Sequence, residues 1–180
     1  MFTKLKKIGG EYILNKEFKK NHRSKFFQNI NDIKSIAILF NINNEEEYKN
    51  ILKIAKTFRA EKKTVYIVSF VNEKVIPNYI TPTINFDVIT LKNLNFFNIP
   101  KNNFINDFIN NEYDLLIDLS NDNNFIFKYL IALSKAKLKI GDFSEEKKMY
   151  LDLMIKNTDK KDVKLFVENI KHYLTVLKKI

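Results

Sequence analysis

Residues 113–120 read Tyr-Asp-Leu-Leu-Ile-Asp-Leu-Ser, and this stretch decides the fold class of the chain. Its apolar residues lack the period-two alternation of a strand that is exposed on one face. A continuous apolar run is typical of a strand that helices cover on both faces, as in a parallel sheet. Burial of each aliphatic side chain contributes roughly 1.5–3 kcal/mol, so this strand can anchor a core. Asp118 interrupts the run, and its carboxylate needs a partner or solvent at the strand's end.

The residues on either side of this stretch alternate between apolar runs and helical patterns. Apolar runs predict further strands at residues 34–40, 64–70, 86–90, 137–141 and 149–155. Apolar residues at three- and four-residue spacing predict helices at residues 45–61, 104–109, 125–134 and 163–177. Residues 71–85 contain two prolines and no helical period, which indicates an irregular link.

This alternation of strands and helices predicts the fold. Short strands separated by helices are typical of a parallel sheet with helices on both faces. Right-handed crossovers reduce the choice to a few arrangements. We therefore expect an α/β protein with three layers, Rossmann-like or flavodoxin-like, whose mostly parallel sheet has five to six strands. The lysines of residues 137–141 suggest that this strand lies at an edge of the sheet.

The composition excludes several classes of protein. The chain has 180 residues, of which 45% are hydrophobic, and is long enough to bury a sizeable core. No apolar run approaches the ~18 residues of a transmembrane helix, and the N-terminus lacks a secretory signal pattern. The absence of cysteine excludes disulfides and thiolate metal sites, and two histidines leave little material for a histidine metal site. We expect a cytoplasmic protein without a metal site or cofactor.

The positive charge is concentrated at the two ends of the chain. The net charge is +10, with +6 on residues 1–25, +4 on residues 160–180 and zero between them. We expect a basic N-terminal helical segment, residues 1–30, and a single α/β domain, residues 31–180. Apolar residues at helical spacing mark one face of that segment, namely Phe2, Leu5, Ile8 and Tyr12.

The N-terminal segment has two interpretations. The first is a helix that packs on the domain with its lysines in solvent. The second is a basic surface that contacts an anionic partner such as RNA or a membrane. The candidate residues for such a contact are Lys4, Lys6, Lys7, Lys19, Lys20, Arg23 and Lys25.

A ligand site in a parallel sheet is expected beyond the carboxyl ends of its strands. The candidate residues there are Asn41, Asn43, Asp118, Ser120 and Asn121. The chain has only three glycines, and none follows the first strand, so the phosphate loops of dinucleotide and nucleoside-triphosphate sites are missing. The acidic residues 45–47 would also repel a phosphate at the first helix. Proteins that bind these nucleotides are therefore disfavoured.

The polar residues of this edge favour structural roles over catalytic ones. Ser120 lacks the glycines of a nucleophile elbow, and we interpret it as a helix cap. Asp118 is interpreted as a hydrogen-bonding residue at the end of its strand. Residues 145–148 read Glu-Glu-Lys-Lys and are interpreted as a solvated turn. No catalytic residue is therefore assigned.

Residues 112–120 read Glu-Tyr-Asp-Leu-Leu-Ile-Asp-Leu-Ser, and a predicted helix joins them to Ala-Leu-Ser-Lys-Ala-Lys-Leu-Lys-Ile-Gly at 132–141. This segment, roughly a sixth of the chain, resembles the N-terminal Rossmann-like half of the heptosyltransferase-like glycosyltransferases. The resemblance implies a half-glycosyltransferase-like fold. In that family the first strand leads to a glycine–aspartate loop with the catalytic acid, whereas residues 41–44 here read Asn-Ile-Asn-Asn. The half that binds the nucleotide sugar has no counterpart in these residues.

The end of the sequence carries a second resemblance. Residues 149–155 read Met-Tyr-Leu-Asp-Leu-Met-Ile and precede a final helix. With the chain as a whole, this pattern resembles a group of small uncharacterised bacterial α/β proteins that share a domain of unknown function. No activity follows from this resemblance.

These observations favour a non-catalytic cytoplasmic binding or assembly module on a half-glycosyltransferase-like fold. Its partner would be another protein or an anionic surface such as RNA. One alternative is a glycosyltransferase-like or nucleotide-sugar-binding enzyme that uses Asp118, Asn41 and Asn43 at the sheet edge. Another is a peripheral protein that contacts RNA or a membrane surface through its basic N-terminus.

Overall fold

The computed structural model of the chain describes residues 2–120, 124–160 and 162–176, which form one parallel sheet and five α-helices. The strands are β1 (Ser35–Asn41), β2 (Thr64–Phe70), β3 (Phe86–Ile89), β4 (Leu115–Asp118), β5 (Leu138–Asp142) and β6 (Leu153–Ile155). The helices are α1 (Phe2–Phe18), α2 (Glu45–Ala60), α3 (Asn103–Asn110), α4 (Phe125–Leu133) and α5 (Val163–Val176). The predicted α/β fold with a sheet of up to six strands is confirmed.

The sheet has the strand order β3-β2-β1-β4-β5-β6, and every neighbouring pair is parallel. This is the order of the Rossmann fold, in which the two halves of the sheet wind in opposite directions from its centre. The switch point lies between β1 and β4, where Leu39 is in register with Asp118. A crevice at the carboxyl ends of these two strands is therefore expected from the topology alone.

Successive residues of β1 point to opposite faces of the sheet, and both faces are buried. Ile36, Ile38 and Phe40 pack in one cluster with apolar side chains of α2 and α5. Ala37 and Leu39 pack in the other cluster with side chains of α1, α3 and α4. Burial on both faces explains why the strands read as continuous apolar runs.

The link between β2 and β3 contains no helix, as the two prolines predict. It nevertheless covers part of the sheet, because Ile80 is buried in the cluster on the α2 side. Tyr48 of α2 contacts two residues of this link. Its ring packs against Tyr79, and its hydroxyl accepts a hydrogen bond from the backbone N–H of Thr81 at 3.1 Å.

α1 packs against α4 and continues through the Gly9-Gly10 pair without a break. Leu14 is fully buried in this contact. A Cβ atom at position 10 would lie 2.9 Å from the carbonyl oxygen of Phe97, which is closer than side chains are found to approach. Glycine is therefore needed here for the close approach of the helix to the loop before α3, although it weakens the helix itself.

Two sequence predictions about the C-terminal strands were wrong. The strand at residues 137–141 was expected at an edge, but β5 lies between β4 and β6, and Lys139 is buried there. The strand at residues 149–155 is restricted to Leu153–Ile155, because residues 145–150 form turns. The short β6 is thus the edge strand, and it covers β5.

Candidate ligand site

A cavity of about 360 Å³ opens at the carboxyl ends of β1 and β2, beside the switch point of the sheet. Its described lining combines amide and apolar side chains. The amides are Asn41, Asn43, Asn72, Asn98 and Asn124. The apolar side chains are Phe70, Leu91, Leu94, Phe125 and Ile126. The position is the one at which open α/β sheets bind their ligands.

Strand ends and helix starts bring these residues together. Asn41 and Phe70 are the last residues of β1 and β2 and are in register with each other. Asn124 caps α4, and its side-chain oxygen accepts a hydrogen bond from the backbone N–H of Ile126 at 2.9 Å. Asn43 donates from its backbone N–H and its side-chain amide to the carboxylate of Glu47, at 2.7 and 3.0 Å. Strand pairing, the N-cap of α4 and the hydrogen bonds to Glu47 thus fix the positions of these cavity-lining residues.

Asn41 supplies the unusual feature of this wall. Its Oδ1 atom is buried, and in the described part of the chain no donor lies within hydrogen-bond distance of it. A buried acceptor without a donor costs about 1–3 kcal/mol.

Asp118 and Ser120 lie behind the switch point in a buried polar cluster with Lys147. The ammonium of Lys147 donates to Asp118 Oδ2 at 2.8 Å and to Ser120 Oγ at 2.9 Å. The Ser120 hydroxyl donates to Asp118 Oδ1 at 2.6 Å. All three residues are at most 5% exposed. The charge of the carboxylate is therefore balanced by Lys147 within the protein. The serine hydroxyl both donates and accepts a hydrogen bond inside the cluster.

This cluster corrects two interpretations of the sequence. Ser120 is not a helix cap, because Asn124 caps the helix that follows. Lys147 does not lie in a solvated turn, since its side chain is 4% exposed. Sequence reasoning missed it, although a carboxylate inside a buried strand signals that a cation must be near. Gly141 makes room for the cluster, because a Cβ atom there would lie 3.0 Å from Cβ of Asp118.

The candidate ligand residues are thus divided. Asn41 and Asn43 lie in the cavity wall. Asp118 and Ser120 are enclosed beside it. Asn121 lies outside the described residues.

A larger depression of about 450 Å³ lies between α2 and α5. It follows the seam between two helices on one face of the sheet, and side chains of both helices line it. Two of its charged residues, Lys164 and Glu168, pair with each other at 3.7 Å. It is not at the carboxyl ends of the strands, so the cavity beside the switch point is the better candidate for a ligand site.

The basic candidates of the N-terminal segment also fall into two groups. Arg23 belongs to the protein interior, because it pairs with Asp152 at 2.5 Å and donates to the carbonyls of Ala136 and Lys137. Lys25 lies 3.3 Å from the same carboxylate, although its side chain is exposed. This part of the segment therefore fastens the chain to the residues that follow α4.

The remaining lysines of this set lie on or just after α1. Lys7, Lys19 and Lys20 are exposed. Lys6 is partly exposed and lies over the ring of Phe96, 5.1 Å from its centroid. Lys4 lies within α1, and its side chain is outside the described set. The side chains of Lys7, Lys19 and Lys20 are therefore accessible to an anionic surface, whereas Arg23 is not.

Lys139 is a buried cation that the sequence interpretation placed at an edge. Its ammonium donates to the carbonyl of Ile131, near the C-terminal end of α4. Burial, with the nearby charges of Arg23 and Lys25, lowers the pKa of Lys139 from 10.5 to about 7, against the opposing effect of Asp152. Lys139 therefore loses its proton at a much lower pH than an ordinary lysine.

The described residues contain no group of three or more histidine, cysteine or acidic side chains that could hold a metal ion. Within the same ranges, no helix combines the length and apolar composition that a membrane crossing requires.

Comparisons with known proteins bear on the family of the chain. Searches of curated proteins and of solved structures return no match, so the resemblance to heptosyltransferase-like enzymes stays a prediction. A family model described as "Family of unknown function (DUF6913)" matches residues 6–177, which is nearly the whole chain. The match includes most of α1 and all six strands, and the resemblance to a domain of unknown function is thereby confirmed. The chain belongs to this family, DUF6913.

Proposed function

We propose that the chain is a non-catalytic cytoplasmic binding module whose cavity at the switch point holds a small uncharged polar molecule of the sugar or nucleoside class. The observation that carries the proposal is that the acidic residue at this edge is buried in an ion pair, whereas the open cavity is lined by uncharged side chains. The acid that could perform chemistry, Asp118, is buried and paired with Lys147 at 2.8 Å. The cavity beside it presents amides and aromatic rings.

The chemistry of the wall supports this class of ligand. Each asparagine side chain offers both donors and an acceptor, which suits the hydroxyl groups of a sugar. The Oδ1 atom of Asn41 lacks a donor among the described residues. Phe70 and Phe125 offer apolar surface for a sugar ring or a base. The volume of about 360 Å³ lies near the lower end of the range for ligand pockets, which favours a single sugar or nucleoside.

A ligand screen by thermal unfolding tests the proposal. Monosaccharides, nucleosides and nucleotide sugars are compared, and we expect the melting temperature to rise with members of one uncharged class. A ligand at a hundredfold excess over its Kd adds about 2.7 kcal/mol to the free energy of unfolding. Asn41→Ala should abolish the shift, whereas Asn106→Ala, at an exposed position of α3, should leave it unchanged.

Two results would overturn the proposal. A screen without any shift would remove the ligand, and an equal shift in the Asn41→Ala variant would remove the site. Turnover of a nucleotide sugar that is lost in Asp118→Asn would instead support the glycosyltransferase-like alternative suggested by residues 112–141.

A further inference from the structure

α1 is apolar on two faces, and only one of them is used within the described chain. The inner face buries Leu14 against the domain. On the opposite side, Leu5, Ile8 and Tyr12 are 54%, 58% and 70% exposed. Their spacing of three and four residues places them in one stripe along the helix. We name these three residues the outer face of α1. The sequence pattern identified this stripe, but the helix packs through its other side.

The acidic and basic residues of α1 also make different contacts. Its two acids are directed towards α4. Glu11 pairs with Lys128 at 2.7 Å, and Glu17 accepts a hydrogen bond from the hydroxyl of Tyr129 at 2.6 Å. Three lysines at the end of the helix are exposed, Lys16 on α1 and Lys19 and Lys20 just after it. Lys16 lies four residues after Tyr12 and extends the stripe, and Lys19 and Lys20 follow it, while both acids contact α4.

We propose that the outer face of α1 lies on a membrane surface that contains anionic lipids. Aliphatic and aromatic side chains bordered by lysines are the combination that an interfacial helix presents to lipid. The apolar side chains enter the acyl boundary, and the lysines meet the negative head groups. The helix would lie in the plane of the surface, since its inner side is occupied by the domain.

The other possible occupants fit less well. A second copy of the chain would bring two segments of net charge +6 face to face, which repel each other. RNA would gain from the lysines and from Tyr12 by stacking, but not from the exposed aliphatic side chains of Leu5 and Ile8. An anionic membrane uses both the charge and the apolar stripe.

Sedimentation with lipid vesicles tests the proposal. Vesicles of phosphatidylcholine alone are compared with vesicles that also contain phosphatidylglycerol. We expect the full chain to sediment only with the anionic vesicles, and less at high salt. The double variant Ile8→Asn/Tyr12→Ser should weaken binding about tenfold or more, because each side chain contributes its buried apolar area. Both positions are exposed, so the fold should be kept.

Matched controls separate the outer face from general properties of the chain. Ile84→Asn replaces an equally apolar and more exposed residue elsewhere and should leave binding unchanged. Lys16→Gln/Lys19→Gln should weaken binding and reduce its salt dependence, whereas Lys56→Gln/Lys74→Gln should do so much less. The proposal is overturned if the unaltered chain ignores anionic vesicles at low salt, or if Ile84→Asn weakens binding as much as the α1 variant. It is also overturned if RNA binds and is retained by Ile8→Asn/Tyr12→Ser while vesicles do not bind.

Discussion

Among single residues, Lys147 is expected to matter strongly for stability, because its ammonium balances the charge of a carboxylate inside the core. Its removal leaves Asp118 buried without its cation. We expect Lys147→Met to lower the free energy of unfolding by roughly 3–5 kcal/mol, measured by urea denaturation. Lys148→Met should change it by less than about 0.5 kcal/mol, since Lys148 pairs with Glu145 only at the surface.

A double variant distinguishes loss of the ion pair from loss of packing. Asp118→Asn/Lys147→Met removes both charges, and we expect it to be more stable than Lys147→Met alone. If the double variant is the less stable of the two, the charge of Asp118 is not what makes Lys147 necessary. The sequence could predict that Asp118 needs a partner. It could not identify Lys147, which lies 29 residues later in a turn whose position depends on tertiary packing.

Lys139 predicts a dependence of stability on pH. Its pKa is about 7 in the folded chain and 10.5 as an ordinary lysine, so between these values the unfolded chain binds more protons. The free energy of unfolding should therefore rise with pH across this window, and the destabilising effect of the charged form should be complete below it. Lys139→Met should remove this slope, whatever its effect on stability at a single pH.

The measurement is a series of urea denaturations from neutral pH to just below pH 10. Above that limit a second effect of opposite sign enters, because burial and adjacent carboxylates raise the pKa values of Tyr66 and Tyr129 above 10.0. Stability from these tyrosines is lost as the pH rises further. An identical slope in the unaltered chain and in Lys139→Met would contradict the assignment. Lys56→Gln serves as a control, since that lysine is exposed on α2 and does not contribute to the shift of Lys139.

At the scale of elements, α1 shows how packing overrides helix propensity. Gly10→Ala would favour the isolated helix by about 1 kcal/mol. In the folded chain, however, the new Cβ would meet the carbonyl of Phe97 at 2.9 Å and the ring of Phe125 at 3.0 Å. Overpacking of this kind costs about 1–3 kcal/mol. We expect a net loss of stability in thermal unfolding.

Asn15→Ala supplies the control for this prediction, because it raises propensity at an exposed position of the same helix. It should stabilise the chain slightly. A stabilised Gly10→Ala variant would contradict the close contact between α1 and Phe97. Two adjacent glycines weaken a helix interior, and the close contact of α1 with Phe97 explains why they are present.

The positions of the strands along the sequence were more predictable than the order of the strands in the sheet. The continuous apolar runs located β1 to β5 to within a few residues, since burial on both faces leaves a local signal, whereas the partly exposed β6 is much shorter than the predicted run. The order β4-β5-β6 leaves no such signal. The lysines of residues 137–141 therefore indicated an edge, although Lys139 points into the protein and donates to the end of α4. Asn41 and Asn43 were expected at the carboxyl edge of the sheet and line the cavity there, whereas its loop residues, Asn72 and Asn98, were not singled out.

At the scale of the whole molecule, the contacts between the N-terminal segment, residues 1–30, and the α/β domain indicate how the chain unfolds. The segment before it is fastened to the residues after α4. Asn21 donates to the carbonyls of Ala132 and Leu133 at 3.0 and 2.7 Å, and the N–H of Phe26 donates to Lys137 at 3.1 Å. These contacts satisfy carbonyls that the end of a helix otherwise leaves unpaired. Loss of the segment would therefore cost the domain both hydrogen bonds and the buried Leu14.

We therefore expect α1 and the α/β domain to open as one cooperative unit. Native-state hydrogen exchange measures this directly, because it gives a free energy of opening for each segment. Amides of residues 10–18 should exchange with nearly the same free energy as those of Phe125–Leu133, and both should approach the value for global unfolding. Arg23→Gln should lower both together, since Arg23 pairs with Asp152 at 2.5 Å and donates to the carbonyl of Ala136. Rapid exchange confined to residues 10–18, with Phe125–Leu133 still protected, would show instead that the N-terminal segment is a separate unit resting on an independent domain.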